Sequence, residues 1–323
     1  MLRAFIEDLA ACAGGPVVTT LDERLRDAVG RTRLSQQTEI HWVSSPRHEQ
    51  ELFAKLAAAS EATFVIAPET GGELLARRRM VDRVGGRFLG HSPAAIALCS
   101  DKLEFARHLV QHALPAVSTE RFDATASTTP FAFPVVVKPR DGAGSQHTYL
   151  IRGEEELEKV RRVFASASGD GRRESVIQPF VAGQSLSAAA IVDGGSGRVD
   201  VFPIGQQLLS DDGRFQYFGG RVPASGPLPT SLESTLRRAC LSIQGLAGYI
   251  GFDLIWPERS FEAFILEANP RLTTSYLGYR ALANENLAAR IVQPSRSASP
   301  IAWKAGATIE FDPDGEIEVR GAI

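Results

Sequence analysis

Two stretches near the C-terminal end constrain this chain most: Gly251-Phe252-Asp253-Leu254-Ile255-Trp256 and Phe264-Ile265-Leu266-Glu267-Ala268-Asn269-Pro270-Arg271. Both read as strands. Side chains alternate between the two faces of a strand, so Glu267 and Asn269 share one face, and that face cannot be a plain apolar core. If the strands form a hairpin around Pro257-Glu258-Arg259-Ser260, Asp253 comes to lie beside Glu267, and like charges so placed are unfavourable without a cation. Mg²⁺ suits the place because it takes hard oxygen ligands, one or two carboxylates among them, and leaves positions for water and phosphate. Asp253, Glu267 and the Asn269 amide oxygen are therefore the candidate metal ligands, with Mn²⁺ as a substitute. The competing reading has Asp253 capping a strand end and Glu267 paired with Arg271 at the surface.

The chain has 323 residues, 44% of them hydrophobic, enough for two or three domains with a sizeable core. A net charge of −3 without a Lys/Arg run argues against a nucleic-acid surface. Acidic Glu7 and Asp8 stand where a signal peptide needs apolar residues, and no apolar run approaches spanning length, so a cytoplasmic location and no membrane partner are expected. Cys12, Cys99 and Cys240 are too scattered for a metal site or a disulfide framework and read as reduced thiols.

Along the chain, residues 2–13 have helical apolar spacing, and strands are expected at 16–20, 39–44 and 63–67, with a helix at 49–59. This alternation predicts a small parallel sheet flanked by helices. Starting such a domain on a helix is unusual, and its first strand would lie upstream of an alternative start. A short strand at 87–90 precedes two helices, one opened by Ser92-Pro93, the other running from Lys102 to Gln111 with Ser100 or Asp101 as cap. Lys102 then stands in a first turn, where the helix dipole disfavours a cation unless it reaches an anion; a solvated lysine is the bland alternative.

After the linker at 125–130, Pro134-Val135-Val136-Val137-Lys138-Pro139 reads as a buried strand. It ends in a lysine and the loop Arg140-Asp141-Gly142-Ala143-Gly144-Ser145, whose glycines let backbone N–H groups turn toward a phosphate. This is not a Walker A loop, and alone it would be an ordinary turn. A helix at 154–164, a mobile Ser/Gly/Arg loop at 166–173 and a strand at 176–181 with Gly183 beyond it follow. The last of these forms a hinge able to offer an adenine ring an apolar slot and backbone groups. Strands at 186–192 and 199–205 suggest an antiparallel sheet. Gln216 to Pro223 reads as an aromatic–glycine–arginine loop, in which Arg221 behind Gly220 could clamp a substrate carboxylate. Tyr217, Phe218 and Tyr276 are candidates to stack on an aromatic amine or simply to pack. A helix at 231–246, a helix ending at Arg290 to Val292, and two final strands turning at 312–315 complete the pattern.

Lys102, Val137-Lys138-Pro139 with its glycine loop, the Gln178–Gly183 hinge, Gly251-Phe252-Asp253 and Leu266-Glu267-Ala268-Asn269-Pro270-Arg271 occur in the order of the ATP-grasp superfamily, which the chain resembles over roughly residues 95 to 292. Residues 18–25, Gly219-Gly220-Arg221 and 269–276 look more narrowly like the tyramine–glutamate ligase group of methanofuran biosynthesis.

The resemblance implies an α/β domain at 1–94, lacking its first strand, followed by an ATP-grasp fold of two α+β lobes at 95–182 and 183–323. It implies ATP on Lys102 and Lys138 under the Gly142–Ser145 loop, with Gly142, Gly144 and Ser145 near the phosphates. Gln178, Phe180, Val181 and Ser185 would surround the adenosine, and Arg271 and Lys138 would be catalytic. Gln178 and Ser185 depart from the glutamates common at those two places. The implied reaction is ADP-forming amide synthesis from a small carboxylate and an amine through an acyl phosphate, with glutamate and tyramine as the pair that the narrower resemblance implies and a homodimer as the assembly compatible with it. A regulator that binds ATP without turnover and a kinase are the rival classes.

Overall fold

The computed structural model describes residues 1–27, 37–142, 144–166, 174–257, 260–296 and 299–321. Helix α1 (Leu2–Cys12) buries Phe5, Ile6 and Ala10 on one stripe and leads into β1 (Val17–Asp22), which pairs in parallel with β2 (Thr38–Val43). Helix α2 (Pro46–Ala59) starts three residues before the expected place because Ser45 caps it and Pro46 takes the first turn. The apolar run at 63–67 forms no strand; a single parallel bridge joins Thr63 to Phe88. Helix α3 (Glu73–Arg83), unexpected from the sequence, follows.

Helices α4 (Pro93–Ser100, capped by Ser92) and α5 (Lys102–Gln111, capped by Asp101) come next. Ala95, Cys99, Phe105 and Leu109 share one core with Leu186, Ile250 and Ala268, so both helices belong by packing with the large C-terminal sheet. The intervening stretch forms a four-stranded antiparallel sheet from β3 (Glu120–Arg121), β4 (Val135–Pro139), β5 (Tyr149–Ile151) and β6 (Ser175–Pro179), in the order β3-β6-β4-β5. Helix α6 (Glu154–Ser166) covers it through Leu157 and Val160. The loop expected at 166–173 lies, beyond Ser166, outside the described residues.

The large sheet contains β7 (Gln184–Val192), β8 (Val199–Val201), β9 (Gly205–Leu209), β10 (Tyr217–Val222), β11 (Gly248–Trp256), β12 (Phe264–Asn269), β13 (Thr308–Phe311) and β14 (Ile317–Arg320). Its order is β12-β11-β7-β9-β10-β13-β14, with β8 on the edge of β7. Helix α7 (Leu232–Ser242) packs on one face, and α8 (Tyr276–Leu282) and α9 (Leu287–Val292) pack with α1 on the other.

The stretch read as a loop at 216–223 contains β10, a strand between β9 and β13. Its two glycines serve close packing: Gly219 has φ +131°, and a Cβ there would lie 2.1 Å from the Phe311 carbonyl oxygen. No helix among the described residues is long and apolar enough to cross a membrane.

Candidate active site

The hairpin of β11 and β12 sets Asp253 directly opposite Glu267 and Gly251 opposite Asn269. The charges predicted to face each other do so. Asp253 accepts from Gln207 Nε2 on β9 at 2.7 Å and from Asn269 Nδ2 at 3.2 Å. Glu267 Oε2 lies 3.1 Å from Lys102 Nζ and 3.8 Å from Lys138 Nζ. Both lysines are buried, so neither is the solvated side chain that is usual for this residue.

Lys102 is held by the start of its helix. Asp101 Oδ1 accepts from the Leu103 and Glu104 amides at 3.1 Å, and the same carboxylate takes Arg140 in a two-pronged pair at 2.7 and 2.6 Å. Arg140 follows β4, so this pair ties the loop after Lys138 to the first turn of α5. The Lys102 amide donates to the Arg140 carbonyl at 3.0 Å and its Nζ donates to the Gly142 carbonyl at 2.6 Å. In that loop Gly144 and Ser145 have φ of +70° and +57°, and Asp141 accepts from the Gly71 amide at 2.9 Å.

Burial pushes the Asp253 carboxyl well above the usual carboxylate range, and the neighbouring Glu267 charge pushes it further. Burial acts the same way on Glu267, but Lys102 and Lys138 outweigh it and hold that group ionised. Lys138 is lowered by burial, with the Glu267 charge opposing. With Asp253 held toward its neutral form, two ammonium groups face one carboxylate, and this surplus positive charge suits a polyanion.

The donor set also fits a divalent cation: two carboxylates are pressed together by strand register, and a cation removes the cost of ionising both. Asn269 presents its amide nitrogen to Asp253, so its oxygen reaches the same place only after a half-turn of the amide. No cluster of three His, Cys, Asp or Glu side chains offers an alternative among the described residues.

Two cavities meet at this pair. One, of about 470 Å³, is lined by every residue expected around ATP: Lys102, Lys138, Gly142, Gly144, Ser145, Gln178, Phe180, Val181 and Ser185. Phe215, Ile255 and Leu266 add apolar wall that the sequence did not single out. Gln178 Nε2 donates to Thr119 Oγ1 at 2.8 Å, which fixes the orientation of its amide. The second, of about 420 Å³, is lined by Asn269, Arg271, Thr274 and Ser275. Asp253, Glu267, Gln207 and Tyr217 line both.

Arg271 does not pair with Glu267; its Nε sits 2.9 Å from buried Glu69 of the N-terminal region. Arg221 and Gly220 line neither cavity. Arg221 donates to Glu310 at 2.8 Å and to Ser225 at 2.7 Å, and Gly220 lies against the Phe311 ring, so the strand pairing of β10 with β13 turns this arginine away from the cleft. Of the three aromatic candidates only Tyr217 reaches the cleft: Phe218 is exposed, and Tyr276 is a core residue whose hydroxyl donates to Asp8. Gln207 and Glu69 were missed by the sequence reading; both act through partners distant in the chain.

The sequence profile of the ATP-grasp domain family matches residues 99–275, and that of the pre ATP-grasp 3 domain matches residues 16–96. The chain belongs to the ATP-grasp family. It is 27% identical over 213 residues to the carbamoyl phosphate synthase large chain of Rubrobacter xylanophilus, a match covering 64% of this chain and 20% of that one. It is 32% identical over 105 residues to the tyramine–L-glutamate ligase of Methanocaldococcus fervens, covering 32% of this chain and 33% of that one. The matches thus span a fifth to a third of these curated relatives. Among solved structures, the biotin carboxylase complex with β,γ-ATP from Campylobacter jejuni has a TM-score of 0.76 at 17% identity, covering 96% of this chain and 72% of that one. That likeness concerns the fold.

Proposed function

We propose that this protein is an ATP-dependent ligase that joins a small carboxylate to an amine, using Mg²⁺, by way of an acyl phosphate. The observation that carries the reading is the meeting of two cavities at one half-buried pair, Asp253 and Glu267, with Lys102 and Lys138 on the side of the larger cavity. A nucleotide in the larger cavity has its base among Phe180, Val181, Gln178 and Phe215 and its phosphates under Gly142, Gly144 and Ser145. Asp253, Glu267 and Asn269 would hold Mg²⁺, which supplies Lewis-acid stabilisation of phosphate charge when bound.

A carboxylate in the second cavity attacks the terminal phosphorus, its oxygen forming the new P–O bond as ADP leaves. The neutral amine then adds to the acyl carbon, the C–O bond to phosphate breaks, and the proton lost from nitrogen leaves with the departing phosphate. Lys102 and Lys138 neutralise charge on the phosphates, and Arg271, released from Glu69, faces the phosphoryl group in flight. No protein nucleophile is needed. Exclusion of water protects the acyl phosphate from hydrolysis.

For substrates, the partial match to tyramine–L-glutamate ligase supports glutamate and tyramine, giving a γ-glutamyl amide. Tyr217 is the aromatic surface available to an aromatic amine at the junction of the cavities. An ADP-release screen of amino acids with and without tyramine tests the assignment. ADP and phosphate formed only when acid and amine are both present supports the ligase. A stable phosphorylated acceptor indicates a kinase, and ATP binding without turnover a regulator. If another acid–amine pair is active while glutamate with tyramine is silent, the substrates fall and the ligase class stands.

A further inference from the structure

Glu69 is a carboxylate only 4% exposed, and Arg271 is the only cation within ion-pair distance of it among the described residues. The Arg271 Nε stands 2.9 Å from Oε1 and 3.0 Å from Oε2 and donates to Oε2 alone; Oε1 is buried and accepts no hydrogen bond among the described residues. The turn that carries Glu69 is pinned. The Gly72 amide donates to the Glu69 carbonyl at 3.0 Å, the Leu74 amide to the Pro68 carbonyl at 3.1 Å and the Gly71 amide to Asp141 at 2.9 Å, while Leu74 is anchored in a core with Val65 and Ile96. Held in this way, Glu69 does not follow Arg271 when that side chain moves.

Phosphoryl transfer needs Arg271 to turn toward the phosphoryl group, and that leaves Glu69 as a buried charge without a partner. Removing one member of a buried ion pair is strongly destabilising, far more than breaking an exposed one. Another cation must therefore take the place of Arg271. Ala67 and Pro68, which lead directly into Glu69, line the second cavity together with Arg271, so the position that the arginine side chain leaves opens on that cavity. The unpartnered Oε1 stands there as a ready acceptor. The chain itself offers no replacement: Arg271 is the only basic side chain among the residues lining the second cavity, and Lys102 and Lys138 are engaged with Glu267.

Resting on the ligase reading, we propose that the replacement cation belongs to the substrate: the acid is an amino acid whose ammonium group pairs with Glu69 as it binds and so frees Arg271 for the transfer. Glu69 is then the residue that selects an ammonium-bearing carboxylate over other acids. An acid without the ammonium leaves Arg271 on Glu69, and ATP is not consumed on it. An ammonium held by a buried carboxylate also keeps its proton, and with it no free electron pair for attack. The amino acid therefore does not act as its own amine, and the nucleophile is a separate, neutral amine.

The test sets each amino acid of the ADP-release screen beside the acid that lacks only its amino group, glutarate beside glutamate for example, in the wild type, Glu69→Gln and Glu69→Asp. For the active acid, loss of the ammonium is expected to lower kcat/KM by about a hundredfold or more in the wild type. In Glu69→Gln, which has no charge to offer either cation, the two acids should differ by less than about fivefold. Glu69→Asp keeps the charge but sets it back, so its preference should fall between these, and it decides the matter if Glu69→Gln does not fold. A purely structural role for Glu69 would slow both acids alike and leave their ratio intact. A wild type that uses the deaminated acid equally well, or a Glu69→Gln variant with the wild-type preference, would overturn the proposal and leave the ligase standing. ADP from no acid–amine pair would remove the ligase reading and the proposal with it.

Discussion

Glu267 holds two buried lysines and faces the half-buried Asp253 carboxyl, and these relationships pull its neighbours in opposite directions. Replacing Asp253 with Asn removes the cost of holding a carboxyl neutral beside Glu267 and keeps the shape, so the unliganded protein should become more stable by about 1 kcal/mol while turnover falls at least a hundredfold. Thermal melts and steady-state rates on the one variant check both signs. Glu267→Ala should also lose turnover with the fold retained, but with a lower melting temperature, because Lys102 and Lys138 are left without their carboxylate. Wild-type rates at low Mg²⁺ in Glu267→Ala would sink the metal assignment. The facing pair was legible in the sequence because alternation and one short turn set the register. Gln207 and Glu69 were not: their partners lie 46 and 202 residues away, and nothing local marks a glutamine or a glutamate for such a contact.

Among the elements, α5 and β10 show what local pattern does and does not reveal. The cap and first turn of α5 were readable, yet Asp101 also clamps Arg140, which only the tertiary fold discloses. Asp101→Ala should cost about 1–2 kcal/mol of stability through the cap alone and raise the KM for ATP by loosening Lys102 from the loop after β4, measurable in one denaturation series and one ATP titration. Strand β10 was misread because Gly219 and Gly220 resemble turn residues, whereas here they admit the Phe311 backbone and ring. A Cβ at Gly219 has no room and the backbone there is in a region that L residues avoid, so Gly219→Ala should destabilise by roughly 2–4 kcal/mol, read in a denaturant melt. Helix α3 was overlooked for the reverse reason: three consecutive arginines dominate it, and its fully buried face is reduced to Leu74 and Val81.

At the scale of the molecule, the N-terminal region and the large sheet are joined by His91. Its Nε2–H donates to the Tyr249 carbonyl at 2.8 Å and its Nδ1 accepts from the Ala247 amide at 3.0 Å, so the neutral ring is satisfied at both nitrogens. Burial lowers its pKa from 6.5 to about 4. The unfolded chain therefore takes up a proton in that window that the folded protein refuses, and stability falls as pH drops from 6.5 toward 4, levelling off below. The loss is up to about 3 kcal/mol. Melting temperatures across this range should slope accordingly, and the part of the slope due to His91 should vanish in His91→Gln. The whole arrangement serves one chemical claim, that a carboxylate in the second cavity receives phosphate from ATP in the first. Turnover with an ¹⁸O-labelled acid tests it most directly. The account predicts that each released phosphate carries one oxygen from the acid, whereas amide product formed with unlabelled phosphate would contradict it.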